Sequence, residues 1–188
     1  MNRNYFLLIA LFLGLMSCQT STEKAPTAKA QTSESTGIID AKLAEMGITL
    51  PEASAPVANY VNAVTTGKLV FLAGKGPKQA DGTYITGKVG RDLTVEEGYE
   101  AAKIVGINQL AALKAEIGDL DRVNRIVKVL GMVNATEDFA NQPEVINGFS
   151  DFMVEVFGEK GKHARAAVGM GSLPRNICVE IEMIVELK

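Results

Sequence analysis

Hydrophobic and polar positions alternate most cleanly near the C-terminus. Ile177, Val179, Ile181, Met183 and Val185 fall on one face and Cys178, Glu180, Glu182 and Ile184 on the other. That is the period of a strand with one side on a core. Upstream, Ala164 to Met170 reads as a second short strand, and Gly171–Ser172–Leu173–Pro174 punctuates the two. Pairing them as a hairpin centred between Ser172 and Leu173 sets Arg165 directly opposite Glu180. The register decides this, because a slip of one residue puts the two on opposite faces. A guanidinium beside a carboxylate, flanked by small residues that leave a hollow, is the first candidate site.

The rest of the chain supplies a framework for these strands. Ile38, Ile39, Leu43 and Met46 have helical spacing, and Gly47 stops that helix. Pro51 and Pro56 carry an extended segment into Tyr60–Val61. Lys68 to Ala73 is a strand closed by Gly74–Lys75–Gly76–Pro77, and Thr83 to Lys88 can form a short strand after the Asp81–Gly82 turn. Thr94 with Glu97 is a capping-box pattern that opens a long helix ended by Gly118. Arg122 to Val133 returns to strand, with Lys128 read as a snorkelling edge residue. Pro143 suits the first turn of a second helix, whose Val145, Ile146, Phe149, Phe152, Met153, Val156 and Phe157 make a broad apolar stripe. Strands, helix, strand, helix and two strands imply an α+β single domain with a mixed sheet and both main helices on one face. The uncovered face is expected to meet a copy of itself.

Composition narrows the function classes. The 188-residue chain is 47% hydrophobic with a formal net charge of −3, enough for one domain with a real core. No basic stripe stands out, so nucleic acid is not an expected partner. Tyr5 to Met16 is an apolar run after Arg3, too short for the roughly 20 residues of a spanning helix. It reads as a signal peptide over residues 1–17. Its end, Leu15–Met16–Ser17–Cys18, resembles the bacterial lipobox, which predicts lipidation of Cys18 and an exported, membrane-anchored lipoprotein. Residues 18–37, rich in Ser, Thr, Ala and Gln, are expected to form a flexible tether to the domain at 38–188. Cys178 is then the domain's one cysteine and His163 its one histidine, too few for a disulfide or a metal cluster. Cys178 is expected to be a packed thiol, His163 a turn residue and Asn147 helix-interior packing.

Several segments together resemble a known family. They are Tyr60–Val61, Leu69 to Gly74, Gly87–Lys88–Val89, Asp119–Leu120–Asp121, and above all Ala164–Arg165 followed by Leu173–Pro174 and Val179 to Glu182. This pattern resembles the RidA (YjgF) reactive-intermediate deaminases, long labelled endoribonuclease L-PSP. Ala55 to Asn62 and Val145 to Val168 resemble a divergent branch. The resemblance implies a chorismate-mutase-like fold, a homotrimer and clefts between subunits. It also implies hydrolysis of 2-imino or 2-enamino acids with no cofactor and no metal. By the same resemblance Arg165 clamps the substrate carboxylate and Glu180 positions the attacking water. Tyr60 borders the pocket, and Gly74 lies where backbone approaches the ligand. The chemistry suits these types, since a planar guanidinium grips a carboxylate at two points and a carboxylate can orient or deprotonate water. Two departures stand out: Ala73 replaces the family's serine and Ala167 its cysteine. They motivate an alternative, a trimer that binds small carboxylates without turnover. Ribonuclease activity rests on the older label alone.

Overall fold

The computed structural model describes residues 37–56 and 58–188. The predicted signal peptide, Cys18 and the tether up to residue 36 lie outside the described residues. Three helices, α1 (Ile38–Glu45), α2 (Val95–Ile117) and α3 (Gln142–Phe157), accompany five strands. The strands are β1 (Ala63–Thr66), β2 (Leu69–Lys75), β3 (Val123–Asn134), β4 (Ala164–Met170) and β5 (Val179–Leu187). They form one mixed sheet in the order β1-β2-β5-β3-β4, in which β3 and β4 are parallel and the other neighbours antiparallel.

Local signals in the sequence account for the helices. Glu97 N–H donates to Thr94 Oγ1 (3.1 Å) and Thr94 N–H to Glu97 Oε2 (2.8 Å), the reciprocal box that starts α2. Gly118 ends α2 with φ 82°, a conformation costly for any residue with a Cβ. The buried side of α2 is made of small residues, among them Gly98, Ala101, Ala102 and Gly106. That lets α3 approach so closely that a Cβ on Gly148 would collide with the Tyr99 carbonyl. Phe149 and Phe152 of α3, Leu110 and Leu113 of α2, and Val129, Val133, Val179, Ile181, Met183 and Val185 of the sheet are all fully buried between the layers. α1 is tied on by Asp121, whose carboxylate accepts from Ile38 N–H (2.7 Å) and Ile39 N–H (2.9 Å).

The expected hairpin of the last two strands does not form. β4 lies at the sheet edge, parallel to β3, with Val129 beside Arg165. β5 lies on the other side of β3, with Met132 beside Glu180. The reason is the α3 crossover, since a strand–helix–strand unit returns its second strand parallel to the first. The segment 171–178 then passes across the end of β3. Strand composition agrees: β5 buries a large apolar residue at every second position, as a central strand must, whereas β4 has three alanines, Gly169, the charged Arg165 and just two larger apolar residues. Thr83 to Lys88 is not a regular strand. It pairs through isolated bridges, Lys78 with Tyr84 and Thr86 with Ile177, and through scattered hydrogen bonds such as Gly87 N–H to the Asn176 carbonyl. Lys128 is exposed but belongs to an interior strand rather than an edge.

Among the described residues, no helix covers the second face of the sheet. By register it presents Val64, Phe71, Ile184, Leu130, Ala166 and Val168, with Val64 54% and Phe71 41% exposed. Glu180, Glu182 and Lys128 share this face.

Candidate functional site

Tyr60, Gly74 and Glu180 line one cleft, of about 720 Å³, at the end of β2 and β5. Ala73, Lys75, Gly76, Lys78, Asn108, Arg175 and the extended segment around Ser54 complete its walls. The cleft exists because the β2–β5 ladder breaks between Leu72 and Lys75. Gln109 of α2 fills the break from behind. Its Nε2 donates to the carbonyls of Ala73 (3.0 Å) and Ile181 (2.6 Å) on either side of the interruption. At Gly74 a Cβ would press on the Glu180 side chain and displace its carboxylate.

Glu180 is half-buried and, among the described residues, has no ion-pair partner. Burial first, and the Glu182 carboxylate second, raise its carboxyl above the ordinary value. A carboxyl so placed keeps its proton to higher pH than a solvated glutamate does. The opposite wall carries Arg175, held with φ 54° in a turn where Asn176 also has positive φ. Such backbone is costly for residues with a Cβ and persists only where the surroundings fix it. Here buried Asn134 fixes it, donating from Nδ2 to Asn176 Oδ1 (3.1 Å) and to the Ile177 carbonyl (3.1 Å).

Arg165 is not in this cleft. In one protomer β3 separates β4 from β5, and register puts Arg165 on the helix-covered side of the sheet and Glu180 on the bare side. The guanidinium is exposed at the sheet edge, where Nη1 donates to Asn147 Oδ1 (2.9 Å) and Ser150 Oγ (3.0 Å) of α3. Both acceptors are neutral, so Arg165 is aimed without being neutralised. Ser150 also bonds His163 Nε2 (3.0 Å), and His163 Nδ1 bonds the Gly161 carbonyl (2.7 Å). A carbonyl only accepts, so Nδ1 carries the proton, Nε2 accepts from Ser150, and Ser150 accepts from Arg165. His163 packs edge-on against Phe149. Burial lowers its basicity most; the Gly161 carbonyl opposes this by a smaller amount, and the Arg165 charge lowers it by less still. Thus His163 and Asn147 are more than the turn residue and helix packing expected of them. Asn147 and Ser150, three apart along α3, form a polar notch beside its apolar stripe.

Cys178 is a buried free thiol whose pKa burial pushes up to about 11, the packed residue its strand position suggested. Ala73 lines the cleft, while Ala167 is half-buried on β4. Among the described residues, no group of three or more His, Cys, Asp or Glu side chains is placed to hold a metal ion.

Comparison with known proteins gives these placements a context. Residues 40–187 match the family model described as YjgF/chorismate mutase-like, putative endoribonuclease. Protein TCP17 of Trypanosoma cruzi is 43% identical over 152 residues, covering 80% of this chain and 95% of that one. The 2-iminobutanoate/2-iminopropanoate deaminase of Dermatophagoides farinae is 28% identical over 142 residues, 75% of this chain and 95% of its own. Among solved structures, Atu1372 of Agrobacterium tumefaciens superposes with a TM-score of 0.74 at 43% identity, covering 80% of this chain and 94% of that one.

Proposed function

Because the chain belongs to the YjgF/RidA family, with its chorismate-mutase-like fold, we propose that it hydrolyses 2-imino and 2-enamino acids to 2-keto acids and ammonia. The observation that carries this is the half-buried, unpaired Glu180 in a cleft that also holds Tyr60 and the Glu180-contacting Gly74. The naming of a relative as a 2-iminobutanoate/2-iminopropanoate deaminase supports the reaction class.

The family resemblance gives the grip on the substrate carboxylate to Arg165, which this cleft does not contain. Arg165 lies on the far side of the sheet, exposed and already aimed, so it can serve a neighbour. The apolar residues of the bare sheet face offer such a neighbour a surface. The proposed site therefore joins Tyr60, Gly74 and Glu180 of one subunit to Arg165 of the partner subunit, as in a cyclic homotrimer. Arg165 of the partner subunit holds the carboxylate at two points, fixing the adjacent imine carbon. Glu180 takes a proton from water as the water oxygen bonds to that carbon, and passes it to the imine nitrogen, giving a carbinolamine. Glu180 then takes the hydroxyl proton and delivers it to the amine as the C–N bond breaks and the C=O bond forms, releasing ammonia and leaving the keto acid. Attached through a lipidated Cys18, the trimer would act at a membrane surface.

The test is ammonia release from imines that an amino-acid oxidase generates in situ. Arg165→Ala should lower the rate at least about 100-fold, since the positioning is lost. A variant as active as the parent overturns the proposal. The second reading, a trimer that binds small carboxylates without turnover, is favoured by Ala73, which leaves the cleft one hydroxyl poorer. Keto acids would then raise the melting temperature of a protein that releases no ammonia. Ribonuclease activity rests on the family's older label, and at a net charge of −3 no basic stripe stands out along the sequence.

A further inference from the structure

Among the described residues, two ammonium groups lining the Glu180 cleft are within ion-pair distance of no carboxylate, although Glu52 and Glu180 line the same cleft. Lys75 Nζ donates to Asn62 Oδ1. Lys78 Nζ donates to Ser54 Oγ (2.9 Å), and Asn62 Nδ2 donates to the Ser54 carbonyl (2.8 Å). The two lysines are thus tied to each other through one wall of the cleft by neutral partners only. Ion pairs among the described residues join Lys42 to Glu45, Arg91 to Asp92, Lys114 to Asp40 and Lys162 to Glu159, and include neither lysine. Lys75 is half-buried, enough for burial to lower its pKa. An ammonium group withdrawn from water, as Lys75 is, is ordinarily paired with a carboxylate, and a second unpaired ammonium, the more exposed Lys78, lines the same cleft and points to a place for an anion. Arg175 adds a third cation to the same cleft, on the turn whose strained backbone Asn134 holds.

We propose that Lys75 and Lys78 form a second anion subsite, and that the cleft prefers a substrate with two carboxylates, the 2-imino form of an acidic amino acid. This rests on the deaminase reading for the first carboxylate and the imine carbon, and adds the side-chain carboxylate as a specificity determinant. A cleft of about 720 Å³ has room for such a five-carbon diacid. Ser54 and Asn62 orient the two ammonium groups without cancelling their charge, as a selective anion site requires. Lysine is a point charge, so the subsite fixes distance rather than a planar orientation.

The experiment is calorimetric titration of the purified full-length chain with 2-oxoglutarate, 2-oxobutyrate and inorganic phosphate. 2-Oxoglutarate should bind about tenfold tighter than 2-oxobutyrate, the scale of one extra charge-assisted contact, and the ratio should shrink as salt rises. In the Lys75→Met/Lys78→Met double variant the ratio should fall to near one. Should that variant fold poorly, Lys78→Met alone must lower the ratio, and Lys75→Arg, which keeps the charge, must retain it. Equal affinity for the two keto acids in the parent, or a ratio that survives Lys78→Met, overturns the subsite. Phosphate binding as tight as 2-oxoglutarate overturns it as a carboxylate subsite. Absence of ammonia release from the simplest imines would sink the deaminase reading instead, and the affinity ratio would still decide this one.

Discussion

The two ends of the proposed site are prepared in different ways. At the β4 edge, Arg165 is held by a closed relay, with Asn147 and Ser150 accepting from it and His163 accepting from Ser150. In the cleft, Glu180 is held by little except burial, with a like charge, Glu182, as the neighbour that shifts it. An arginine keeps its charge whatever surrounds it, so orientation is all the fold need supply. A carboxylate does not, and its reactivity is set by how much water and charge surround it. The edge therefore provides aim and the cleft provides basicity.

Removing the carboxylate tests this division most severely. Glu180→Gln should lower ammonia release by about 10²–10⁴-fold, the usual range for a general base or acid. It should at the same time raise thermal stability at neutral pH. The sign follows from the raised carboxyl. Between the ordinary value of 4.5 and the higher folded value, the folded state holds more protons than the unfolded state. The parent accordingly loses stability as pH rises through that interval, and the glutamine variant does not. Urea unfolding of both proteins at pH 4.5 and pH 7 measures the difference. A glutamine variant less stable than the parent at pH 7 would mean that Glu180 is a structural residue.

Two glycines separate cleft from architecture more finely. A Cβ at Gly74 meets only the end of the Glu180 side chain, which can swing aside. Gly74→Ala should cost less than about 1 kcal/mol of stability, while displacing Glu180 and lowering activity at least about tenfold. A Cβ at Gly148 meets backbone of α2, which cannot move without parting the helices. Gly148→Ala should destabilise by about 1–3 kcal/mol or more, the cost of overpacking a tight contact. Denaturant midpoints and ammonia-release rates for the two variants give the comparison. Equal stability losses would erase the distinction between the two glycines.

Much of this architecture was legible in the sequence, and the failure was specific. The Thr94–Glu97 box, the Gly118 stop, the α3 stripe and the β5 alternation are local patterns, and each produced the element it predicted. The hairpin of β4 with β5 failed because adjacency in sequence says nothing about a crossover already made by α3. Unequal apolar content was the available clue, since a strand as apolar as β5 belongs inside a sheet and one as small as β4 at its rim. Arg165 and Glu180 could be named from their motif, but their separation by β3 belongs to topology. The polar pair Asn147 and Ser150, three residues apart along α3, was a readable sign of a side chain docking from elsewhere. Lys75 and Lys78 gave no such sign, because a lysine that lacks a counter-ion is recognised only once its surroundings are folded.

The smallest effect concerns how tightly the relay is coupled to the charge it aims. His163 accepts from Ser150 only while Nε2 is unprotonated, and its basicity is lowered by burial and by Arg165. A folded value below the ordinary 6.5 means that the unfolded chain takes up a proton first as pH falls. Stability from this residue is thus present above pH 6.5 and is lost as pH drops through the lower folded value. His163→Gln keeps a polar group there but does not titrate, so its unfolding midpoint should fall less between pH 7 and pH 5 than that of the parent. Coupling also runs outward to the ligand. A bound carboxylate offsets the repulsion between Arg165 and a protonated His163, and by reciprocity protonation strengthens carboxylate binding. Affinity for 2-oxobutyrate should therefore rise about twofold in the parent between pH 7 and pH 5.5 relative to His163→Gln, the scale of one added charge acting largely through solvent. Identical pH profiles for parent and variant would show that the relay orients Arg165 without sensing what it binds.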